Sequence, residues 1–137
     1  MPPTTSRDFQ RVARQRLTAA ETLVRQKLTL DAQYLGGYAV ECSLKALILH
    51  RTSDRDKPAM LDRITSGARM HRPEVLLGTL WDLNADITLP TEIARRMRRF
   101  DRTTDLRYET GRRDTGETIA VLKTAKAIYE WVERQLP

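Results

Sequence analysis

At 137 residues the chain has the length of one domain, and 40% apolar residues with 6 Gly and 6 Pro supply a core while excluding a fibrous or disordered chain. A lone cysteine excludes an internal disulfide, and Cys42, His50 and His71 show no zinc-ligand spacing, so neither a structural metal nor a cofactor is expected. The net charge of +6, with 19 of 24 cations arginine, points to an anionic partner, and its excess is local.

In chain order, Ser6 to Lys27 repeats apolar residues at Phe9, Val12, Ala13, Leu17, Ala20, Leu23, Val24 and Leu28, which predicts an amphipathic helix with Arg7, Arg11, Arg14 and Arg25 mostly outside. This stretch carries six cations against Asp8 and Glu21. Leu30 to His50 is apolar on more than one face and reads as a helix surrounded by others, with Asp31 as its N-cap. Gly36 and Gly37 within it are unfavourable for helix formation, by about 1 kcal/mol each relative to Ala, and imply close packing of the backbone. Tyr34, Tyr38, Glu41, Lys45 and Ile48 share a stripe, so Glu41 and Lys45 pair at i, i+4.

Residues 51–59 read as a loop, and a short helical turn follows around Met60 to Ile64 and ends at Gly67. Pro73 fits the first position of a third helix whose apolar residues run from Val75 to Leu83. A fourth helix starts near Pro90, with Ile93, Met97 and Phe100 inward and Arg95, Arg96, Arg98 and Arg99 outward. Thr103 to Arg113 lacks periodicity and reads as a loop. Asp114 with Glu117 resembles a capping box that opens a last helix to about Gln135, with Ile119, Leu122, Ala125, Ile128, Tyr129 and Val132 inward. No segment reads as a sustained strand, so the expected fold is an all-α, up-and-down bundle of four to five helices, one domain over residues 1–137. The longest apolar stretch, Leu44 to Leu49, is far shorter than the ~20 residues of a membrane span, and no apolar signal core follows Met1. The cytoplasm is the expected location, with no membrane partner.

Chemistry has few candidates. No Gly-rich phosphate loop, nucleophile elbow, His-Glu-x-x-His pair or Cys-x-x-Cys occurs. Glu41 reads first as an ion pair with Lys45 and second as an acid or base. Cys42, on an apolar helix, reads as a buried inert thiol, His50 as a complement to its helix dipole, and His71 as an entry to the third helix. Residues 95–113 are the most informative stretch, with eight arginines against Asp101, Asp105 and Glu109. Arginine forks match phosphate oxygens, and Tyr108 offers a stacking face and a hydroxyl, so Arg98, Arg99, Arg102, Arg107 and Tyr108 form either an anion-binding surface or a solvated basic face.

Tyr34-Leu35-Gly36-Gly37-Tyr38-Ala39-Val40-Glu41-Cys42-Ser43-Leu44-Lys45-Ala46-Leu47, His71 ahead of the leucine-rich third helix, Phe100-Asp101-Arg102 through Arg107-Tyr108, and the amphipathic last helix together resemble the HEPN domain. The ordered set covers nearly the whole chain. The resemblance implies a helical bundle that commonly forms a homodimer and a role tied to nucleotides or RNA. Members include toxins of toxin–antitoxin pairs, whose antitoxin is often a minimal nucleotidyltransferase, and RNA-cleaving defence proteins. The cleaving branch carries Arg, four to six residues, then His; here Arg102 is followed after five residues by Tyr108. Tyrosine is a poor proton shuttle at neutral pH, so metal-independent cleavage would need another base, and Glu41 is the one the pattern nominates.

Three functions follow. The first is a binding module that presents Arg102, Arg107 and Tyr108, with Arg98, Arg99 and Lys45, to a nucleotide or RNA. The second is a divergent ribonuclease toxin using Arg102, Tyr108 and Glu41. The third is a non-catalytic subunit that docks a protein partner.

Overall fold

The computed structural model describes residues 2–83 and 86–137, which contain helices and no strand. Six α-helices run in the order α1 (Ser6–Arg25), α2 (Thr29–Arg51), α3 (Lys57–Thr65), α4 (Pro73–Leu83), α5 (Thr91–Arg96) and α6 (Thr115–Gln135). Three 3-10 segments, Ala68–His71, Met97–Phe100 and Thr103–Tyr108, lie between them. The described residues thus hold six α-helices where four to five were expected.

The first helix opens on a full capping box, in which the Thr5 side chain accepts from the Asp8 amide and the Asp8 carboxylate accepts from the Thr5 amide. It ends at Arg25, two residues before the expected Lys27, because Lys27 turns into the left-handed region at φ 63°. The Lys27 amide then donates to Val24 O and the Leu28 amide to Leu23 O, both at 2.9 Å, the paired bonds that close a helix end when its next residue is left-handed. A lysine fills a place usually taken by glycine, so the sequence carries no visible stop there.

This turn folds α2 back along α1. The second helix starts at Thr29 after Leu28, and Asp31 falls in its first turn instead of capping it. It is buried on nearly all sides, packed by α1, α4, α6 and the 103–108 segment, as its unbroken apolar character predicts. Phe9, Ala13 and Leu17 of α1, Val40, Leu44, Leu47 and Ile48 of α2, Leu76 and Leu80 of α4, and Val121, Ile128 and Val132 of α6 make the main core. The last helix begins as predicted: the Asp114 side chain accepts from the Glu117 amide at 2.8 Å. Its inward face is rotated slightly from the expectation, since Ile119 is exposed and Thr118 is buried, where Gln33 Nε2 donates to its hydroxyl at 2.9 Å.

The region between α2 and α6 differs most from the reading of the sequence. Residues 57–59, expected to be loop, already belong to α3, with Pro58 in its first turn. The expected helix from Pro90 to Phe100 stops being α-helical at Arg96, whose φ and ψ are −106° and 1°. Arg95, Arg98 and Arg99 are like charges at i, i+3 and i, i+4, a spacing that disfavours continued α-helix. Phe100 nevertheless reaches the core and is fully buried, which anchors the arginine-rich segment to the bundle. Thr103–Tyr108, expected to be irregular, is a 3-10 turn lying on α2.

Candidate functional site

The close approach of that turn depends on Gly37. A Cβ at position 37 would overlap the Thr103 side chain, so only glycine lets the 103–108 turn reach the helix. At Gly36 a Cβ would press on Leu122 Cδ2 at 2.7 Å, the end of a flexible side chain. The paired glycines therefore serve two contacts: one seats α6, and the other seats the candidate site.

Three segments converge there. Tyr34, Gly37, Tyr38 and Glu41 from α2, His71 from the end of the 68–71 segment, and Thr103, Thr104 and Arg107 from the 103–108 turn line a cleft of about 90 Å³. Two long-range contacts fasten its far wall: Thr104 Oγ1 donates to the His71 carbonyl at 2.9 Å, and Arg72 pairs with Asp105 at 3.2 Å.

At the base of the cleft the Glu41 Oε2 oxygen accepts from two sides. Lys45 Nζ lies 2.8 Å away and His71 Nδ1 3.0 Å away. The Glu41 and Lys45 side chains are 7% and 5% exposed, so this is a buried ion pair, whereas His71 is 37% exposed and opens to the cleft. A carboxylate only accepts hydrogen bonds, so the proton of a neutral His71 sits on Nδ1 and its Nε2 keeps a lone pair. The arrangement is a carboxylate orienting an imidazole, with a buried ammonium holding the carboxylate in turn. Tyr38 adds a phenol that stays protonated: burial raises its pKa, followed by the nearby Cys42 and Glu41, against the opposing guanidinium of Arg16, which sits 5.7 Å from the ring centre.

A second, wider groove of about 440 Å³ also borders the 103–108 turn. Arg98, Arg99, Arg102 and Arg113 line it with Gln33, Asp101 and Glu117, and Thr103 borders both hollows. Arg113 pairs with Glu109 at 2.9 Å, whereas Arg98, Arg99, Arg102 and Arg107 have no carboxylate within ion-pair distance among the described residues.

The residues singled out in the sequence are thus divided. Glu41 and Arg107 share the small cleft; Arg98, Arg99 and Arg102 share the groove. Lys45 is buried beneath Glu41 and lines neither, a different place from the one expected for a binding residue. Tyr108 is 82% exposed with the Arg107 guanidinium 4.9 Å from its ring centre. It lines neither hollow, so Arg102 and Tyr108, which stand where the family motif has Arg and His, do not meet in one cleft.

His71, Thr103, Thr104 and Arg113 are site residues that the sequence did not single out for this chemistry. His71 lies 30 residues from Glu41 along the chain, and no local spacing links them. Cys42 is buried, and its thiol is pushed up to about 12 by that burial first and Glu41 second, which makes it inert at neutral pH. His50 has its pKa lowered by burial, then by Arg51, Lys57 and Arg7, which disfavours the charged form needed for the dipole role expected of it. Among the described residues no group of His, Cys, Asp or Glu is placed to hold a metal ion, and no helix is long and apolar enough to cross a membrane.

No curated protein and no solved structure matches the chain. The model of the HEPN domain family matches residues 6–135, nearly its whole length and every element that builds the two hollows. The chain therefore belongs to the HEPN domain family, as a helical module with a nucleotide- or RNA-related role.

Proposed function

We propose that the protein binds a phosphate-bearing nucleotide ligand or RNA along the 103–108 turn. The observation that carries this reading is the set of four arginines without carboxylate partners among the described residues, Arg107 in the small cleft and Arg98, Arg99 and Arg102 in the groove. Exposed guanidinium groups left unneutralised by their own fold favour an anion, and their fork geometry suits phosphate oxygens. Binding of labelled single-stranded RNA to the purified chain at low salt tests it. The Arg102→Ala, Arg107→Ala double variant is expected to lose at least about tenfold in affinity, and unchanged binding removes this site.

The Glu41–His71 pair favours a second reading, a divergent metal-independent ribonuclease. A ribose 2′-oxygen would attack the adjacent phosphorus and pass its proton to His71 Nε2, while the 5′-oxygen leaves with a proton from solvent. His71 would then supply the base that Tyr108 cannot. Incubation of RNA with the purified chain in chelator decides this: cleavage that disappears in His71→Gln supports it, and intact RNA ends it. The reading extends to a homodimer and to a nucleotidyltransferase-like partner, which sedimentation of the purified chain and copurification with the product of a neighbouring gene would test.

A further inference from the structure

The two hollows differ in the anion that each fits. The small cleft, at about 90 Å³, is below the ~150 Å³ of a cavity that holds a benzene ring, so it is too small to enclose a nucleobase. It does have donors suited to a compact tetrahedral anion: the Arg107 guanidinium and the Tyr38 hydroxyl, kept protonated, while the Thr104 hydroxyl already donates to the His71 carbonyl. The Glu41 carboxylate at its base is already compensated by Lys45. The groove beyond Thr103 is about five times larger, more open in shape and lined by four arginines against Asp101 and Glu117, a net cationic lining that suits a run of backbone phosphates.

We propose that the cleft of His71 and Arg107 takes the terminal phosphomonoester of a single-stranded RNA, while the groove of Arg98, Arg99, Arg102 and Arg113 holds the phosphates that follow it. This rests on the anion-binding reading above and names its ligand class. The chemical reason lies in His71 Nε2. With Nδ1 committed to Glu41, Nε2 meets the ligand as an acceptor unless it gains a proton. A phosphomonoester carries a second ionisable oxygen with a pKa of about 6, close to that of an ordinary imidazole, so the two can share one proton between them. An internal phosphodiester has no such proton and offers Nε2 only lone pairs. The cleft therefore favours the end of a strand over its middle. The exposed Tyr108 ring, held under the Arg107 guanidinium beside the cleft mouth, provides a face on which the terminal base stacks.

Fluorescence polarisation with one short RNA sequence in three forms, 5′-phosphorylated, 3′-phosphorylated and hydroxyl at both ends, tests the proposal on the full chain. One phosphorylated form is expected to bind about tenfold tighter than the hydroxyl form. His71→Gln and Arg107→Ala, each checked for an unchanged circular dichroism spectrum, should erase that difference, whereas Arg98→Ala with Arg102→Ala should weaken all three forms alike. Equal binding of the three forms by the wild-type chain overturns the proposal and leaves the anion-binding reading standing. A preference that survives both cleft variants also overturns it. Failure of every form to bind removes the anion-binding reading itself. A nucleoside monophosphate that competes as strongly as the phosphorylated strand would assign the cleft to a free nucleotide and overturn the strand-end assignment.

Discussion

Glu41 accepts from a buried lysine below and a half-open histidine above, and its environment makes the three residues one unit. Removing one member of a buried ion pair leaves the other charge uncompensated, which costs about 3–5 kcal/mol, whereas replacing both with uncharged groups of similar size is close to neutral. Lys45→Met and Glu41→Gln are each expected to lower the urea midpoint sharply, and the double variant should recover most of the loss; additive losses would show that the pair is not coupled. Cys42, one residue along, makes a pH prediction. Its folded thiol ionises at about 12 against an ordinary value of 9.0, so its contribution to stability is complete below the ordinary value and is lost as pH rises toward the folded one. Stability should therefore fall more steeply above about pH 9 in the wild type than in Cys42→Ala, and the native thiol should resist disulfide reagents at neutral pH until the chain is unfolded.

At the scale of elements, the site is a 3-10 turn pressed onto a helix, and one absent side chain permits it. Gly37→Ala gains helix propensity of up to about 1 kcal/mol yet drives a methyl into Thr103, so the 103–108 turn must lift and carry Arg107 away from His71. The expected result is a preserved helical spectrum with phosphate-ligand affinity reduced at least about tenfold. Gly36→Ala meets only the tip of Leu122, which can rotate, and should leave binding unchanged. Loss of binding in both variants, or in neither, would separate Gly37 from the site. The paired glycines were visible in the sequence as a sign of close packing. Which of them faced the site was not, because that depends on where Thr103 arrives from 66 residues further along the chain.

The whole molecule combines a nearly neutral helical framework with a cationic turn region, and the arrangement predicts how binding responds to salt. If four or five phosphates of a single strand are engaged, the logarithm of affinity should fall with the logarithm of salt at a slope of about −3. Arg102→Ala should reduce that slope by somewhat less than 1, and a flat dependence would show that the arginines do not contact phosphate. Long helices were legible wherever apolar spacing and capping chemistry recur within a few residues: Phe9 to Ala20 in α1, the unbroken apolar run of α2, and Asp114 with Glu117 at the start of α6. Pro73 likewise marked the start of α4. The helix that opens after Pro90 was legible too, whereas Met97 to Tyr108, which reads as more helix and then loop, takes 3-10 geometry that follows from docking Phe100 and Thr103 on the bundle and not from local propensity.

By itself the sequence determined the helical class, the i, i+4 pairing of Glu41 with Lys45 and the local excess of arginine, because each is a relation between residues a few positions apart. Only the tertiary structure decided that His71 closes on Glu41, that Arg107 and Arg102 line different hollows, and that Tyr108 stands outside both. Those relations join α2, the 68–71 segment and the 103–108 turn across 30 or more residues, and packing against a shared core brings them together.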